Sequence, residues 1–282
     1  MHIIKKILLY FCLSGFFIVN LTSNVWANNL ESSNLEPINS EVTGIKLLQE
    51  IAFEYAPKKS FSYKQVRDIM YTKIDNHDGV VEGIYTGYSI NLAPNSSNPR
   101  QIAYQNDINA EHIYPQSKGA VGAGKSDLHS LFPAYEPINT ERSNNPFAEI
   151  NDSLTNKWWL KNQMLFNKPI TEIDNYSESL TGSKFEPREN KKGDVARAMF
   201  YFYTIYRSEA DEFDPDFFPE QKEILCQWNI ADPVDDLEIT RSHLIAKYQG
   251  NENPFVIDSS LATRTYCRAI GSFRTKTDAK NN

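Results

Sequence analysis

The stretch NDINAEHIYPQSKG (106–119), followed after AVGAGK by SDLHSLFPAYEPINTERSNNPF (126–147), gathers two histidines, several amides and several acids into one short region of an otherwise ordinary chain. AEHIYP sets Glu111 next to His112 and ahead of Pro115. Neighbours in an extended segment point to opposite faces, so these two side chains address one substrate only where a strand ends or bends. Pro115 favours such an ending, because it cannot donate to a strand ladder. Further on, EPINTERSNNPF puts Asn139 just before a run that opens a helix with Thr140 and Glu141 in its first turn. Asn139 can cap that helix or offer its carbonyl oxygen to a hard cation, and spacing leaves both readings open.

Several chemistries are absent. There is no GxSxG elbow, no phosphate-cradling glycine loop and no HExxH, and the cysteines lack zinc-site spacing. A site must therefore be built from His112, His129 and nearby oxygen donors. A carboxylate at Glu111 with an amide at Asn139 suits magnesium, which takes oxygen ligands and keeps several waters, better than zinc. A histidine beside such an ion can accept a proton from water near neutral pH. One metal and one histidine are a sufficient minimum for hydrolysing a phosphodiester.

The chain has 282 residues and a formal net charge of −7. Lys5 and Lys6, an apolar run from Ile7 to about Leu21 and the small-residue stretch VWA ending at Ala27 read as a secretory signal peptide. That run falls short of the ~20 residues of a bilayer span, so the mature protein is expected to be free of the membrane. Removing it takes the charge from −7 to −9, which disfavours nucleic acid over the whole surface but not in a confined groove. Cys12 leaves with the signal, and Cys226 and Cys267 can form one disulfide in an oxidising compartment.

Residues 28–42 are polar and without periodicity, a flexible lead-in. TGIKLLQEIAFEY predicts a helix capped by Thr43 with Ile45, Leu48, Ile51 and Ala52 inward, and SYKQVRDIMYTKI a second capped by Ser62 with Val66, Ile69 and Met70 inward. GVVEGIYTGYSINLAP reads as strand or hairpin. NKWWLKNQMLF and FEPRENKKGDVARAMFYFYTIYR read as helices, the latter burying Val195, Met199, Phe202 and Tyr206 with Lys192, Asp194 and Arg197 pointing elsewhere. DDLEITRSHLIAKYQGNENPF predicts a helix ended by Gly250. Helices on both sides of a strand-bearing middle give an α+β protein of one domain.

NAEHIYPQS, DLHSLFP, INTERSNNPF, FEPRENKKGDVARAMFYFY and QWNIADPVDDLEITRSHLIAKYQGNENPF resemble, in order, the characteristic segments of the bacterial endonuclease I family, secreted or periplasmic non-specific nucleases of the His-Me finger type. The likeness spans roughly residues 45 to 258. It implies a ββα-metal core, a strand pair and a helix, set in a mainly helical domain. By this resemblance the chain divides into a signal peptide (1–27), the lead-in (28–42), the nuclease domain (43–258) and a C-terminal extension (259–282). His112 would be the general base. Glu111 and Asn139 would hold one Mg2+, with Mn2+ or Ca2+ able to substitute.

The substrate implied is DNA, and RNA in many members, gripped through phosphates and cut to leave 5′-phosphate ends by a monomer in the periplasm or outside the cell. Asp127 and His129 would shape the surroundings of the base. Arg142 and Asn144 fall in the pattern N-x-x-R-x-N, where bracing and phosphate contact are both open. Some members carry a longer insertion after the base with an arginine near the leaving group. This chain has only QSKGAVGAGK there, which leaves Lys118, Lys125 or Arg142 to supply positive charge. Lys184, Arg188, Lys191, Lys192 and Arg197 form a basic segment that is either the confined groove or a solvated face. His77 and His243 read as surface residues. The rival functions are a non-cutting binding domain of the same shape and a hydrolase of small phosphate esters.

Overall fold

A computed structural model of the chain describes residues 37–267. The expected signal peptide, most of the expected lead-in and residues 268–282 lie outside the described residues. The architecture is α+β, with helices α1 (Ile45–Glu54), α2 (Tyr63–Ile69), α3 (Pro99–Gln105), α4 (Glu136–Arg142), α5 (Lys192–Ile205), α6 (Arg207–Phe213), α7 (Phe217–Ala231), α8 (Asp236–Gln249), α9 (Pro254–Ile257) and α10 (Leu261–Thr265). Three small antiparallel sheets lie among them. One holds β1 (Asn76–His77), β2 (Val80–Glu82) and β3 (Ser89–Asn91), and the second holds β4 (Ile108–His112) and β5 (Leu131–Tyr135). The third orders β7 (Gln163–Leu165), β6 (Lys157–Leu160), β8 (Ser177–Leu180) and β9 (Lys184–Glu186).

Helix α5 is the axle. Every residue from Lys192 to Thr204 is buried, and α1, α7 and α9 pack around it. A helix apolar on most of its circumference must sit inside, since each fully buried Phe contributes ~1.5–3 kcal/mol relative to exposure. The main core joins Val195, Met199, Phe200 and Phe202 to Phe147, Trp159, Phe185 and Trp228. A smaller core under α2, β2 and α8 contains Val66, Met70, Val81, Leu128, Leu131 and Ile245. The β4–β5 pair is clamped between them: Ile108 and Leu131 enter the smaller core, whereas Phe132 and Ala134 enter the larger.

Local chemistry explains the elements. Ser62 and Gln65 form a reciprocal capping box on α2, whose ladder then loosens into a π-helical turn over Met70–Ile74. Asp78 and Gly79, at φ 52° and 86°, make the tight turn between β1 and β2. Gly250 ends α8 in the left-handed region at φ 79°.

Several expectations are corrected. NKWWLKNQMLF is not a helix but the β6–β7 hairpin, because adjacent Trp158 and Trp159 suit a pleated surface and Lys161 takes φ 53° at the turn. The helix expected from Phe185 starts only at Lys192, since Pro187 biases the residue before it toward extended backbone and Glu186 joins β9. Lys192, Asp194 and Arg197 do not point to solvent; all are buried. Gly44, not Thr43, stands at the start of α1, and Ile45 is exposed while Leu47 takes the inward place. The ordered body also exceeds 43–258: the Ile38 amide donates to Asp258 (2.9 Å), and Leu261, Ala262 and Cys267 sit in the main core. Cys226 on α7 is bonded to Cys267 with Cα atoms 5.6 Å apart.

Candidate active site

Strand β4 ends at His112, opposite Leu131 of β5, and α4 follows β5 directly. That ending is what frees two adjacent side chains from the up-and-down rule of a strand. Glu111 and His112 line one open cleft of about 360 Å³ together with Gln116, Asn139, Arg142 and Asn144.

The imidazole is oriented from both sides. Its Nε2 lies 2.9 Å from the Lys125 carbonyl. A carbonyl only accepts, so Nε2 carries the proton and Nδ1 keeps a lone pair, with the Gln116 amide nitrogen 3.4 Å away. Tyr63 stacks on the ring at 5.5 Å between centroids. Burial pulls the imidazole down from 6.5 to about 4; the Lys125 carbonyl pulls the other way, and the Lys125, Arg142 and Arg67 cations lower it further. The ring is therefore neutral at physiological pH and able to accept a proton at Nδ1.

Glu111 is buried, and burial raises its carboxyl above the usual range while Arg142 and the Tyr85 hydroxyl pull it back. Tyr85 donates to Oε1 at 2.6 Å, and Arg142 Nη1 approaches the same oxygen at 3.1 Å. Both engage Oε1, so Oε2 is the oxygen left for a ligand. Asn139 lies inside α4, which starts at Glu136, so it does not cap that helix. Its Nδ2 donates to Asn109 Oδ1 at 2.6 Å, which turns its own carbonyl oxygen away from that contact. Two oxygen donors of different charge, each steadied by a neighbour, match what a hard divalent cation requires.

Arg142 is buried and bonded within the protein. It is 1% exposed, and its guanidinium donates to the His112 and Ile113 carbonyls (3.1 and 2.7 Å) while facing Glu111 and the Phe147 ring. It ties the end of β4 to α4. Lys118 is also drawn away, paired to Asp214 at 2.6 Å. Lys125 contributes its carbonyl to His112 and lays its ammonium 5.1 Å from the Tyr63 ring centroid. Asn144 bridges to Ser117 (3.1 Å) on the rim.

Asp127 and His129 act behind this front. Asp127 accepts from Tyr201, Tyr206, Gln249 and the His129 amide. That network pins the chain two residues after Lys125, and so fixes the carbonyl that holds His112. His129 is buried with Nε2 on the Asn251 carbonyl (3.0 Å). His77 is exposed, and His243 pairs with Glu252 at the surface.

Of the basic segment only Lys184 is solvated; the other four residues are paired to carboxylates. Lys192 is enclosed by Glu149, Glu186 and Glu189 at 2.8, 2.7 and 2.5 Å. Those three carboxylates form the one acidic cluster with metal-like spacing among the described residues, and the ammonium already serves as its cation. Arg197 forks onto Glu238 (2.7 and 2.6 Å), Arg188 pairs with Glu82 and Lys191 with Asp194. Residues not read from the sequence, namely Tyr63, Tyr85, Asn109 and Gln116, complete the site. Of these only Asn109 carried a signal, two positions before Glu111 and hence on the same strand face.

Among the described residues no helix is long and apolar enough to cross a membrane. The chain is 34% identical over 170 residues to an extracellular ribonuclease of Bacillus subtilis, covering 53% of this chain and 51% of that protein. It is 27% identical over 188 residues to an extracellular deoxyribonuclease of Aeromonas hydrophila, covering 60% and 74%. It is 29% identical over 132 residues to Endonuclease-1 of Buchnera aphidicola, covering 47% and 44%. The chain thus spans about half the length of the Bacillus relative. The sequence pattern of Endonuclease I matches residues 43–260, which include Glu111, His112 and Asn139. By that match, over most of its length, the chain belongs to the Endonuclease I family.

Proposed function

We propose that this protein is a secreted, metal-dependent endonuclease of the His-Me finger type, which hydrolyses phosphodiester bonds of DNA and also of RNA and leaves 5′-phosphate ends. One observation carries the reading: a neutral His112, with its proton held on Nε2 by the Lys125 carbonyl, shares a cleft with Glu111 and Asn139. His112 Nδ1 takes a proton from water, and the water oxygen attacks phosphorus in line. The bond to the 3′ oxygen breaks, that oxygen takes up a proton from solvent to leave as a hydroxyl, and His112 returns its own proton to solvent. Mg2+ held by Glu111 Oε2 and Asn139 Oδ1, with Mn2+ or Ca2+ able to substitute, would supply positive charge for the phosphate and the departing oxygen. Arg142 keeps Glu111 in place, and Gln116 borders the face of the ring from which the proton arrives.

The relatives include both extracellular ribonucleases and extracellular or periplasmic deoxyribonucleases, which supports secretion and keeps both polymers as substrates. Contacts to phosphates rather than base edges make such cutting non-specific and sensitive to salt. The test is incubation of the purified protein with supercoiled plasmid and with structured RNA, with Mg2+ and with excess chelator. Nicking that chelator abolishes supports the reading. Binding without cutting under any divalent ion would leave the non-enzymatic alternative.

A further inference from the structure

The chain is acidic, and its described arginines are almost all neutralised. Among the described residues Arg100, Arg142, Arg188, Arg197, Arg207, Arg241 and Arg264 each have a carboxylate partner. Arg67 is the described arginine without one. It lies on α2 with its guanidinium carbon 4.2 Å from the centroid of the Tyr63 ring, the ring that stacks on His112. Its only hydrogen bond among the described residues runs from Nε to the Tyr63 carbonyl, which leaves both terminal nitrogens of the fork unengaged. The Lys125 ammonium, also without a carboxylate partner among the described residues, approaches the same ring. A positive spot without a carboxylate partner therefore stands beside the candidate base, where the other described arginines are each paired to an acid.

A second cavity of about 380 Å³ opens next to it, lined by Arg67, Asn98, Arg100, Gln101 and Tyr104. Tyr104, on α3, is 79% exposed. A planar fork with free donors grips a phosphate, and an exposed aromatic ring beside it offers a stacking face to any base.

We propose that this α2–α3 face is a strand-binding subsite beside the cleft, with Arg67 on a backbone phosphate and Tyr104 stacked on an unpaired base. It rests on the endonuclease reading and deepens it: the occupant is a polynucleotide strand whose bases are accessible, displaced from the scissile bond along the backbone. The amides of Asn98 and Gln101 line the same cavity and can donate to sugar or phosphate oxygens.

The test measures binding apart from cutting. Full-length His112→Ala protein is titrated, in chelator, against a fluorescent DNA strand of about 12 nucleotides, within the usual single-strand site size, and fluorescence anisotropy is read across a salt series. Adding Arg67→Ala should weaken binding about tenfold and lower the slope of log affinity against log salt by about one. Adding Tyr104→Ala should weaken it about tenfold, and Tyr104→Phe should restore it. Lys222→Ala, which removes the same charge from the exposed side of α7, should bind like its parent. Equal melting temperatures show that the fold is intact. The proposal is overturned if the parent does not bind the strand, if Arg67→Ala and Tyr104→Ala bind as tightly as the parent, or if Lys222→Ala weakens binding as much as Arg67→Ala. Plasmid nicking by wild-type protein is scored separately: nicking without an Arg67 effect removes only the subsite, whereas an Arg67 effect without nicking removes the nuclease reading and leaves the subsite standing.

Discussion

Two regions of this molecule bury charge, and they do so differently. Around α5 every buried ion is closed: Lys192 is enclosed by three carboxylates, Arg197 is forked onto Glu238, and Asp127 accepts from four donors. Around β4 and α4 the close contacts fall on one atom of each polar group, with only the Gln116 amide standing off at 3.4 Å from the second nitrogen of His112. Tyr85 and Arg142 take one oxygen of Glu111, Asn109 takes the amide nitrogen of Asn139, and Lys125 takes one nitrogen of His112. Glu111, His112 and Asn139 all line one cleft. Desolvation is severe in both places, and it lowers His112 just as it lowers His129. What separates a site from a scaffold here is the spare lone pair, not burial or an unusual pKa.

That contrast can be broken by substitution. His112→Ala should cut plasmid nicking by about 100- to 10,000-fold, the usual share of a general base, with little change in melting temperature. Arg197→Met should do the reverse. It strands Glu238 in the core, costs about 3–5 kcal/mol of stability in denaturant titrations, and leaves the specific activity of the folded fraction intact. If both changes cost activity and stability together, the two regions are not functionally distinct.

A smaller effect is expected from pH. Burial lowers His129 to about 4 from 6.5, opposed by Asp127 and the Asn251 carbonyl. The unfolded chain therefore takes up this proton first on acidification. The stability due to the neutral ring is fully present above pH 6.5, falls between 6.5 and about 4, and levels off below; the loss is worth about 3 kcal/mol. Urea titrations across that window would show it, and a flat profile would mean that His129 is already protonated or solvated in the native state. The smallest effect is Ser62→Ala, which should remove about 1 kcal/mol by opening the capping box of α2. Because α2 carries Tyr63 and Arg67, activity measured beside stability would show how firmly that helix must be seated.

Much of this was legible in the sequence where the rule is local. Ser62 and Gly250 announce a helix start and a helix end, and each structural feature follows from local chemistry. Rules that depend on tertiary surroundings failed. The segment NKWWLKNQMLF reads as a helix but forms a hairpin, with Trp159 in the main core. Arg197 reads as part of a polar face because its partner, Glu238, is 41 residues away. The candidate site divides in the same way. Glu111, His112 and Asn139 were visible as side chains of the right type. The carbonyl of Lys125 has no sequence signature, and Tyr85 reaches Glu111 from 26 residues upstream.

The central claim is that His112 is neutral, with its hydrogen on Nε2 and Nδ1 free. Two-dimensional ¹H–¹⁵N correlation spectra of ¹⁵N-histidine-labelled protein at neutral pH, with His112 assigned by its loss in His112→Ala, read this directly. A pyrrole-like Nε2 paired with a pyridine-like Nδ1 is the predicted result. A hydrogen on Nδ1, or a doubly protonated ring, would contradict it.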